Sequence, residues 1–299
     1  MRVQVRQWFE AVVFVSPALV LIGLLVVMPA VQTLLLSFFD NEGQQFVGLQ
    51  NFADVLLSRD SLNLNRFPHR SPPWGAIPHN AVWVLLHLPL VVMLGMVLAV
   101  LLRDVMGASF IKSAIFLGMV TPMVVGGGVI RFLFDENTGV INALFRLVGL
   151  SQFERSWTAY PDTALLALIL GSIWLWTGFS MVLYSAGLAT IPKELYEAAD
   201  VDGANSLQKF FYITIPSLRP VTVTVVAMTI LWELKIFDLV YTATLGGPGG
   251  ASMVLALQMY FLAFRSLDPN RSAVIATFLT ALTLIIGVWF VRSARRVEG

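Results

Sequence analysis

The sequence contains no cysteine, which excludes disulfide bonds, thiolate metal ligands and cysteine nucleophiles. Its three histidines, His69, His79 and His87, do not have the spacing of a zinc site. Charged residues make up only 12% of the 299 residues and leave a net charge of +1, so there is no positive field for nucleic acid. These absences leave no obvious reaction centre, and we expect neither a catalytic residue nor a metal in this chain.

What the sequence has in excess is apolar residues, which make up 57% of the chain. An apolar run of about 20 residues can cross roughly 30 Å of hydrocarbon as a helix. Six such runs occur, and the fifth carries charges within it; they cover residues 11–39, 71–102, 113–130, 163–192, 220–245 and 272–291. The sequence therefore predicts an all-α polytopic membrane protein with six transmembrane helices.

Positive charge predicts the orientation of these spans. The first run follows Arg2 and Arg6, is too long for a signal peptide and lacks a small-residue cleavage site, so we expect it to remain as a span. With the N-terminus inside, the inner segments are shorter than the outer loops and yet hold more Lys and Arg, which places both termini in the cytoplasm. We divide the chain into a first helix with a long external loop (residues 1–74), a core of five helices (residues 75–292) and a cytoplasmic tail (residues 293–299).

One short stretch, YEAADVDGA from Tyr196 to Ala204, is acidic in a chain that mostly avoids charge. The orientation places it on the cytoplasmic side, and its good helix formers predict a short helix. Gly203 predicts a turn, because glycine costs about 1 kcal/mol inside a helix. Asn205 or Ser206 can then cap a second helix that ends before Pro216.

Two interpretations of this helix–turn–helix segment, about residues 192–216, stay open. The small residues Ala198 and Ala199, flanked by acidic side chains, suit an exposed face that sits in a groove of another protein. The alternative is an amphipathic loop on the membrane surface. Such helices favour Lys and Arg on their polar face, whereas this one is mainly acidic, so the residues favour docking on a partner.

The fifth run carries three charged residues, and an unpaired charge at mid-bilayer costs about 2.5–3.5 kcal/mol. Lys235 and Asp238 are three residues apart, so they share a face of a continuous helix and can pair. Glu233 projects from nearly the opposite side and needs another helix, a partner subunit or a watery cavity. This run either lines a translocation path or holds a structural ion pair and an interfacial carboxylate. Three aromatic residues would give such a path its apolar surface: Trp232, Phe237 and Tyr241.

Glycine and charge mark three further features of the membrane segments. The run Gly126–Gly128 in the third span permits close helix approach or a bend, and we expect a packing role. Arg131, with Asp135 four residues later, is interpreted as an interfacial anchor. The glycine-rich segment Gly246–Gly250 predicts a turn at the outer end of the fifth span.

Three spaced stretches of the chain resemble a known family. Glu197-Ala198-Ala199, followed by Gly203 and Ile215-Pro216, is similar to the EAA loop of permease subunits in ATP-binding-cassette importers. FVGLQNF (Phe46–Phe52) resembles the segment after the first span in carbohydrate-importer permeases. FDLVYTATLGGPGG (Phe237–Gly250) resembles the end of their fifth span, where the family more often reads LTGGGP. The resemblance covers nearly the whole chain and is to the group typified by the first permease of the maltose transporter, without its extra N-terminal spans.

The resemblance implies the type I importer permease fold, with the EAA segment as a coupling helix seated in a cleft of an ATPase subunit. The implied partners are a second permease, two ATPase copies, an external solute-binding protein and the lipid bilayer, and no nucleic acid. ATP and Mg would be bound by the ATPase, because the nearest approach here to a phosphate-binding loop has Ile111 in place of the glycine before Lys112.

The candidate site residues fall into three sets. The coupling residues are Glu197, Ala198, Ala199, Asp200 and Gly203. The candidate path residues are Trp232, Glu233, Phe237, Asp238 and Tyr241. The candidate contacts of the binding protein are Gly247, Pro248 and Gly249.

We expect a multi-pass inner-membrane permease of an importer for sugars, oligosaccharides or related polyols. A solute such as glycerol 3-phosphate is an open alternative, although phosphate should favour more positive charge than Lys235 and Arg131 offer. An ion-coupled secondary transporter, with Glu233 and Asp238 as proton or sodium sites, is the rival from another class. A membrane enzyme is disfavoured, since no His, Cys or paired-carboxylate constellation lies near the membrane surface.

Overall fold

The computed structural model describes residues 2–41, 43 and 45–298, and these residues are mostly α-helical. The α-helices, in chain order, are α1 (Arg2–Ile22), α2 (Met28–Leu36), α3 (Gln50–Leu56), α4 (Ala76–Leu101), α5 (Ala108–Val120), α6 (Met123–Leu133), α7 (Val140–Leu147), α8 (Ala164–Ala189), α9 (Lys193–Val201), α10 (Ser206–Lys209), α11 (Ile215–Ser217), α12 (Arg219–Glu233), α13 (Asp238–Thr244), α14 (Leu255–Phe264) and α15 (Pro269–Glu298). Two π-helical segments, Gly23–Val27 and Phe210–Thr214, join α1 to α2 and α10 to α11. Short 3₁₀ turns cover Ser151–Phe153 and Trp157–Ala159. Among the described residues the only β contact is the isolated bridge of Phe39 with Phe46, so the all-α class is confirmed.

Four of the predicted spans are single helices long and apolar enough to cross a bilayer. They cover Val12–Leu36, Ala76–Leu101, Ala164–Ala189 and Pro269–Arg295. The surroundings of these helices differ. In Val12–Leu36, 0% of the apolar stretch is buried within the chain, whereas in Ala164–Ala189 the share is 67%. A helix that is apolar all round is a core helix or a lipid-exposed span. The first of these helices is thus suited to lipid, and Ala164–Ala189 (α8) is the central core helix.

The third predicted span is helical but bent. α5 and α6 meet at 104° around Thr121 and Pro122. Thr121 is extended, with φ −68° and ψ 125°, because a residue before proline is disfavoured in the helical region. Its hydroxyl donates to the Leu117 carbonyl at 2.8 Å, which helps to satisfy the end of α5. The charge-free run therefore lies within a pair of helices that bends at Thr121 and Pro122, just before the glycines where the sequence permits a bend.

The fifth predicted span is interrupted. α12 ends at Glu233 and α13 begins at Asp238, with a non-helical break between them. Lys235 lies in the break, so it does not share a continuous helix with Asp238, and no ion pair joins the two in the described part of the chain. The predicted pairing of these residues is therefore wrong, because it assumed an unbroken helix.

The segment before α12 also differs from the prediction. The helix that begins at Ser206 continues through Pro216 and meets α12 at 67°. The wider π-helical turn at Phe210–Thr214 accommodates Pro216, which has no backbone N–H to donate. The expected end before Pro216 is thus wrong, although Asn205 caps the helix as predicted.

The chain forms two compact units, Met1–Leu56 with Met259–Phe278, and Leu57–Gln258 with Leu279–Gly299. The predicted segments of residues 1–74, 75–292 and 293–299 remain a prediction. In the first unit, the amides of Asn51 and Asn270 both donate to the Phe39 carbonyl, at 2.7 and 3.0 Å. Asn270 also donates to the Leu36 carbonyl at 3.0 Å, so side chains satisfy the open C-terminal end of α2.

In the second unit, α4, α5 and α12 pack on α8, and α6 packs on α13. Near the ends of α4, α8 and α12 a cluster of buried side chains forms the core: Met96, Ala99, Leu102, Met181, Tyr184, Leu188, Ile191, Leu218 and Val225. We call this set the lower core. Glycine also allows α8 to approach α5 closely, since a Cβ at Gly178 would lie 2.8 Å from the Phe116 Cα of α5.

The three consecutive glycines of α6 differ in their surroundings. A Cβ at Gly127 would lie 2.7 Å from the Leu239 carbonyl oxygen of α13, whereas one at Gly128 has no neighbour within 4 Å. Gly126 is also buried and faces the Leu175 side chain. The predicted packing role therefore belongs to Gly126 and Gly127.

We expect Gly127→Ala to destabilise the protein by about 1–3 kcal/mol, because the methyl group overpacks the contact of α6 with α13. Gly128→Ala is the matched control, with an expected change of about 0.5–1 kcal/mol in the stabilising direction, since alanine favours a helix over glycine. Thermal unfolding in detergent, followed by tryptophan fluorescence, compares the two. Equal effects of the two substitutions would contradict this packing.

Candidate functional site

The acidic stretch forms two helices joined by a tight turn, α9 and α10, which we call the hairpin (residues 193–209). Gly203 in the turn has φ +75°, a conformation that glycine adopts without strain. Asn205 accepts a hydrogen bond from the Gln208 backbone N–H at 2.9 Å, and the Gln208 side chain accepts one from the Asn205 N–H at 2.8 Å. This capping box fixes the start of α10. The predicted turn and cap are therefore present.

The hairpin presents an exposed, acidic and partly apolar surface. Glu197, Ala198 and Asp200 are exposed, and Ala199 is half-buried. Val201 is 89% exposed, so an apolar side chain accompanies the carboxylates on this surface. Within the hairpin, the Lys209 ammonium pairs with the Asp200 carboxylate and joins α10 to α9.

The buried charge of the fifth span lies opposite a histidine of α4. Glu233 and His87 are both fully buried, and the His87 Nδ1 lies 2.6 Å from the Glu233 Oε1. One proton lies between the two groups, whether they are described as an ion pair or as a neutral hydrogen bond. The other carboxylate oxygen, Oε2, has no hydrogen-bond partner among the described residues. Of the environments expected for Glu233, the structure shows a partner on another helix, which is His87 of α4.

Two further polar residues of α4 extend this contact. The Asn80 amide donates to the Glu233 backbone carbonyl at 3.1 Å, and its Oδ1 accepts from the Leu255 N–H at 2.8 Å. His79 Nε2 accepts from the Trp74 N–H at 3.0 Å, so its Nδ1 is the nitrogen that donates to the Met253 carbonyl at 2.7 Å. We call His79, Asn80 and His87 the polar row of α4. It joins α4 to the end of α12 and to the start of α14.

The sequence prediction did not include the polar row, because the histidines lack the spacing of a zinc site and no other role follows from that spacing. The available signal was different: three polar side chains, two of them histidines, within an otherwise apolar span. Intramembrane polar residues are costly and therefore have partners. In the described part of the chain, no group of three or more His, Cys, Asp or Glu residues could hold a metal ion.

The break in the fifth span separates the candidate path residues into two groups. Glu233 is buried, and the ring centroid of Trp232 lies 4.3 Å from that of Trp176. Lys235 and Asp238 are exposed, and the half-buried rings of Phe237 and Tyr241 stack with centroids 5.3 Å apart. We call Lys235, Phe237, Asp238 and Tyr241 the break patch.

The glycine-rich turn follows α13, as predicted. Gly246, Gly249 and Gly250 have positive φ, and the Ser252 hydroxyl donates to the Gly247 carbonyl at 2.7 Å. Gly249 is exposed, and Gly247 and Pro248 are partly exposed. The turn is therefore ordered by its own hydrogen bonds and leaves its tip accessible.

A cleft of about 320 Å³ lies beside this turn. Gly247 and Pro248 line it together with Arg131 and Asp135. Hydrogen bonds from the backbone and hydroxyl of Thr138, and from the Asn137 N–H, hold the pKa of the Asp135 carboxyl below its usual range. Asp135 therefore orders the loop that follows α6 by accepting hydrogen bonds from Asn137 and Thr138.

The comparisons with known proteins cover most of the chain. The model of the family described as "Binding-protein-dependent transport system inner membrane component" matches residues 91–299. A probable ABC transporter permease protein of Pyrococcus horikoshii is 59% identical over 281 residues, covering 93% of this chain and 96% of that protein. The alpha-glucoside transport system permease protein AglF of Rhizobium meliloti is 34% identical over 303 residues, covering 99% of this chain and 84% of that protein.

A similar fold occurs in a solved structure. A chain of the bacterial alginate ABC transporter, in complex with an alginate pentasaccharide-bound periplasmic protein, superimposes with a TM-score of 0.79. The match covers 98% of this chain and 96% of the other at 19% sequence identity, so it shows the fold alone.

The His87–Glu233 contact leads to a double-mutant test. We expect His87→Leu and Glu233→Leu each to destabilise the protein by about 3–5 kcal/mol, because each leaves the other polar group buried without its partner. The double variant should recover most of that loss, since an apolar pair leaves neither group unpaired. Thermal unfolding of the four proteins in one detergent measures the coupling. Additive losses in the double variant would show that the two side chains do not interact.

Proposed function

The chain belongs to the family of binding-protein-dependent transport system inner membrane components, and we propose that it imports sugars, oligosaccharides or related polyols. It is a permease subunit of an ABC importer, and the ATPase of such importers is a separate subunit. In this proposal its partners are a second permease, an ATPase dimer that binds ATP and Mg, and an external solute-binding protein. Both termini and the hairpin lie in the cytoplasm, as the positive charges favour.

The observation that carries the proposal is the exposed hairpin. Nearly all side chains of α9 point away from the rest of the chain in an acidic and partly apolar surface. The turn at Gly203 and the capping box at Asn205 give this surface a fixed shape. A rigid helical surface of this kind docks into a groove of a partner. We assign Glu197, Ala198, Ala199, Asp200 and Gly203 to contact with the ATPase.

The break patch supports the proposed path. Stacked aromatic rings at Phe237 and Tyr241 offer an apolar surface for sugar rings, and the Asp238 carboxylate offers hydrogen-bond acceptors for hydroxyl groups. Non-helical backbone at membrane depth is tolerated where it lines a water-filled cavity or is buried in protein. We assign Glu233 and Trp232 to support of this segment, because Glu233 is fully buried and Trp232 packs on Trp176.

The glycine-rich turn is the proposed contact of the binding protein at Gly247, Pro248 and Gly249. Its tip is accessible, and Arg131 lines the adjoining cleft. The structurally similar alginate transporter is in complex with its periplasmic protein, which agrees with such a partner.

The nature of the solute is proposed from the relatives and from charge. AglF is a permease for alpha-glucoside transport, and the break patch holds one cation and one carboxylate. A phosphate ester such as glycerol 3-phosphate should favour more positive charge along the path. An ion-coupled mechanism at Glu233 and Asp238 is disfavoured by the family, and by the His87 partner that already holds Glu233.

We expect the tagged chain, purified gently from its native membrane, to bring with it a second permease and an ATPase. Glu197→Lys reverses a charge on the exposed surface, and Gly203→Pro cannot keep φ at +75°. Both variants should lose most of the ATPase while retaining the second permease. Quantitative mass spectrometry of the purified material measures these ratios.

Glu136→Lys is the matched control for the charge reversal, since Glu136 is an exposed carboxylate in a predicted outer loop. It should retain the ATPase. A wild-type chain that purifies alone, and still transports in vesicles without ATP, would overturn the proposed function.

The break patch has its own test in uptake by intact cells. We expect Tyr241→Ala or Phe237→Ala to lower uptake of a radiolabelled alpha-glucoside at least about tenfold, because loss of one good contact of 1.4 kcal/mol changes binding by that factor. Phe132→Ala is the control, as Phe132 is 56% exposed on α6. Unchanged uptake in both patch variants, at equal amounts of protein in the membrane, would remove the patch from the path.

A further inference from the structure

We infer that Tyr196 is the joint that makes the hairpin move together with α4 and α12. The inference rests on the proposed function, because it concerns how a displacement at the ATPase reaches the spans. Tyr196 is a positioning residue in this account. It lies beside the proposed ATPase contacts in sequence, but it points toward the rest of the chain and is half-buried.

The ring of Tyr196 contacts the segment that follows α4. The Arg103 guanidinium carbon lies 5.0 Å from the ring centroid, within the range of a cation–π interaction. Arg103 is two residues beyond Leu101, the last residue of α4. A movement of the ring therefore acts on the end of α4.

The hydroxyl of Tyr196 contacts the segment that leads into α12. Its oxygen lies 3.0 Å from the Thr214 Oγ1, and Thr214 in turn donates to the Lys209 carbonyl at 3.3 Å. When the Thr214 hydroxyl donates to the Lys209 carbonyl, its oxygen is left to accept from the Tyr196 O–H. Thr214 is buried and ends the π-helical segment that precedes α11 and α12. One side chain of α9 thus connects two spans.

Few other side chains of α9 can carry a displacement. Tyr196 and Ala199 are the two residues of α9 that are not exposed. Tyr196 packs against the lower core, which contains side chains of α4, α8 and α12. The ion pair of Lys209 with Asp200 joins α9 to α10. Apart from the chain connections at its two ends, α9 is therefore attached mainly through Tyr196.

The absence of cysteine allows a direct measurement of this attachment. Spin labels at Lys193→Cys, on α9, and at Met106→Cys, in the exposed turn beyond Arg103, report the distance from the hairpin to the end of α4. Pulsed electron paramagnetic resonance is recorded on the native complex without nucleotide and with ATP and vanadate. With Tyr196 present, we expect one narrow distance distribution that is the same in both states, since both labels move together.

In Tyr196→Phe combined with Arg103→Gln we expect a broader distribution, and a shift of its maximum when ATP and vanadate are added. Tyr196→Phe alone keeps the ring over Arg103 and loses the bond to Thr214, so it should give a smaller shift. A residue that only stabilises the fold would lower the unfolding temperature without making the distance depend on nucleotide. Tyr160→Phe, in the loop before α8, is the control and should leave both the distance and the unfolding temperature unchanged.

A distribution in the double variant that is as narrow and as nucleotide-independent as in the wild type would overturn the inference. Failure of the proposed function is recognised separately, because no ATPase would then be present in the purified wild-type complex. In that case the distance distributions recorded without nucleotide still compare the attachment of α9 in the wild type and in the double variant. Equal widths of these two distributions would again overturn the inference.

Discussion

The break in the fifth span depends on side chains of α4. Lipid offers no hydrogen bonds, so a helix that stops inside a membrane must have its free carbonyl groups satisfied by protein. The Asn80 amide donates to the Glu233 carbonyl at the end of α12, and His87 holds the Glu233 side chain at 2.6 Å. These contacts fix the point at which the backbone leaves the helix, and the break patch follows directly after it.

The hairpin and the break patch lie at opposite ends of one helical element, α12. A displacement that enters through Tyr196 acts on the segment before α12, and the His87–Glu233 contact fixes the other end of α12 to α4. Because Arg103 also connects Tyr196 to α4, both ends of the α4–α12 pair are joined by polar contacts. In this account, binding energy at the hairpin moves the pair as a unit and changes access to the break patch.

The sequence predicted the features that follow from local chemistry. Runs without charge indicated where the long apolar helices lie, and Gly203 and Asn205 indicated the turn and the cap of the hairpin. It did not predict features that arise from contacts distant in sequence. Glu233 has its partner 146 residues away at His87, and neither residue identifies the other. The absence of charge indicates only the extent of the third span, whereas its bend arises at Pro122.

The most direct test measures from which side of the membrane the break patch is accessible to a reagent. Asp238→Cys introduces the only thiol of this chain, and a membrane-impermeant maleimide is applied to right-side-out and inverted vesicles that contain the whole complex. With ATP and vanadate, we expect labelling from the outside to increase and labelling from the cytoplasmic side to decrease. Labelling that is identical with and without nucleotide on both sides would contradict the claim that the ATPase controls access to this segment.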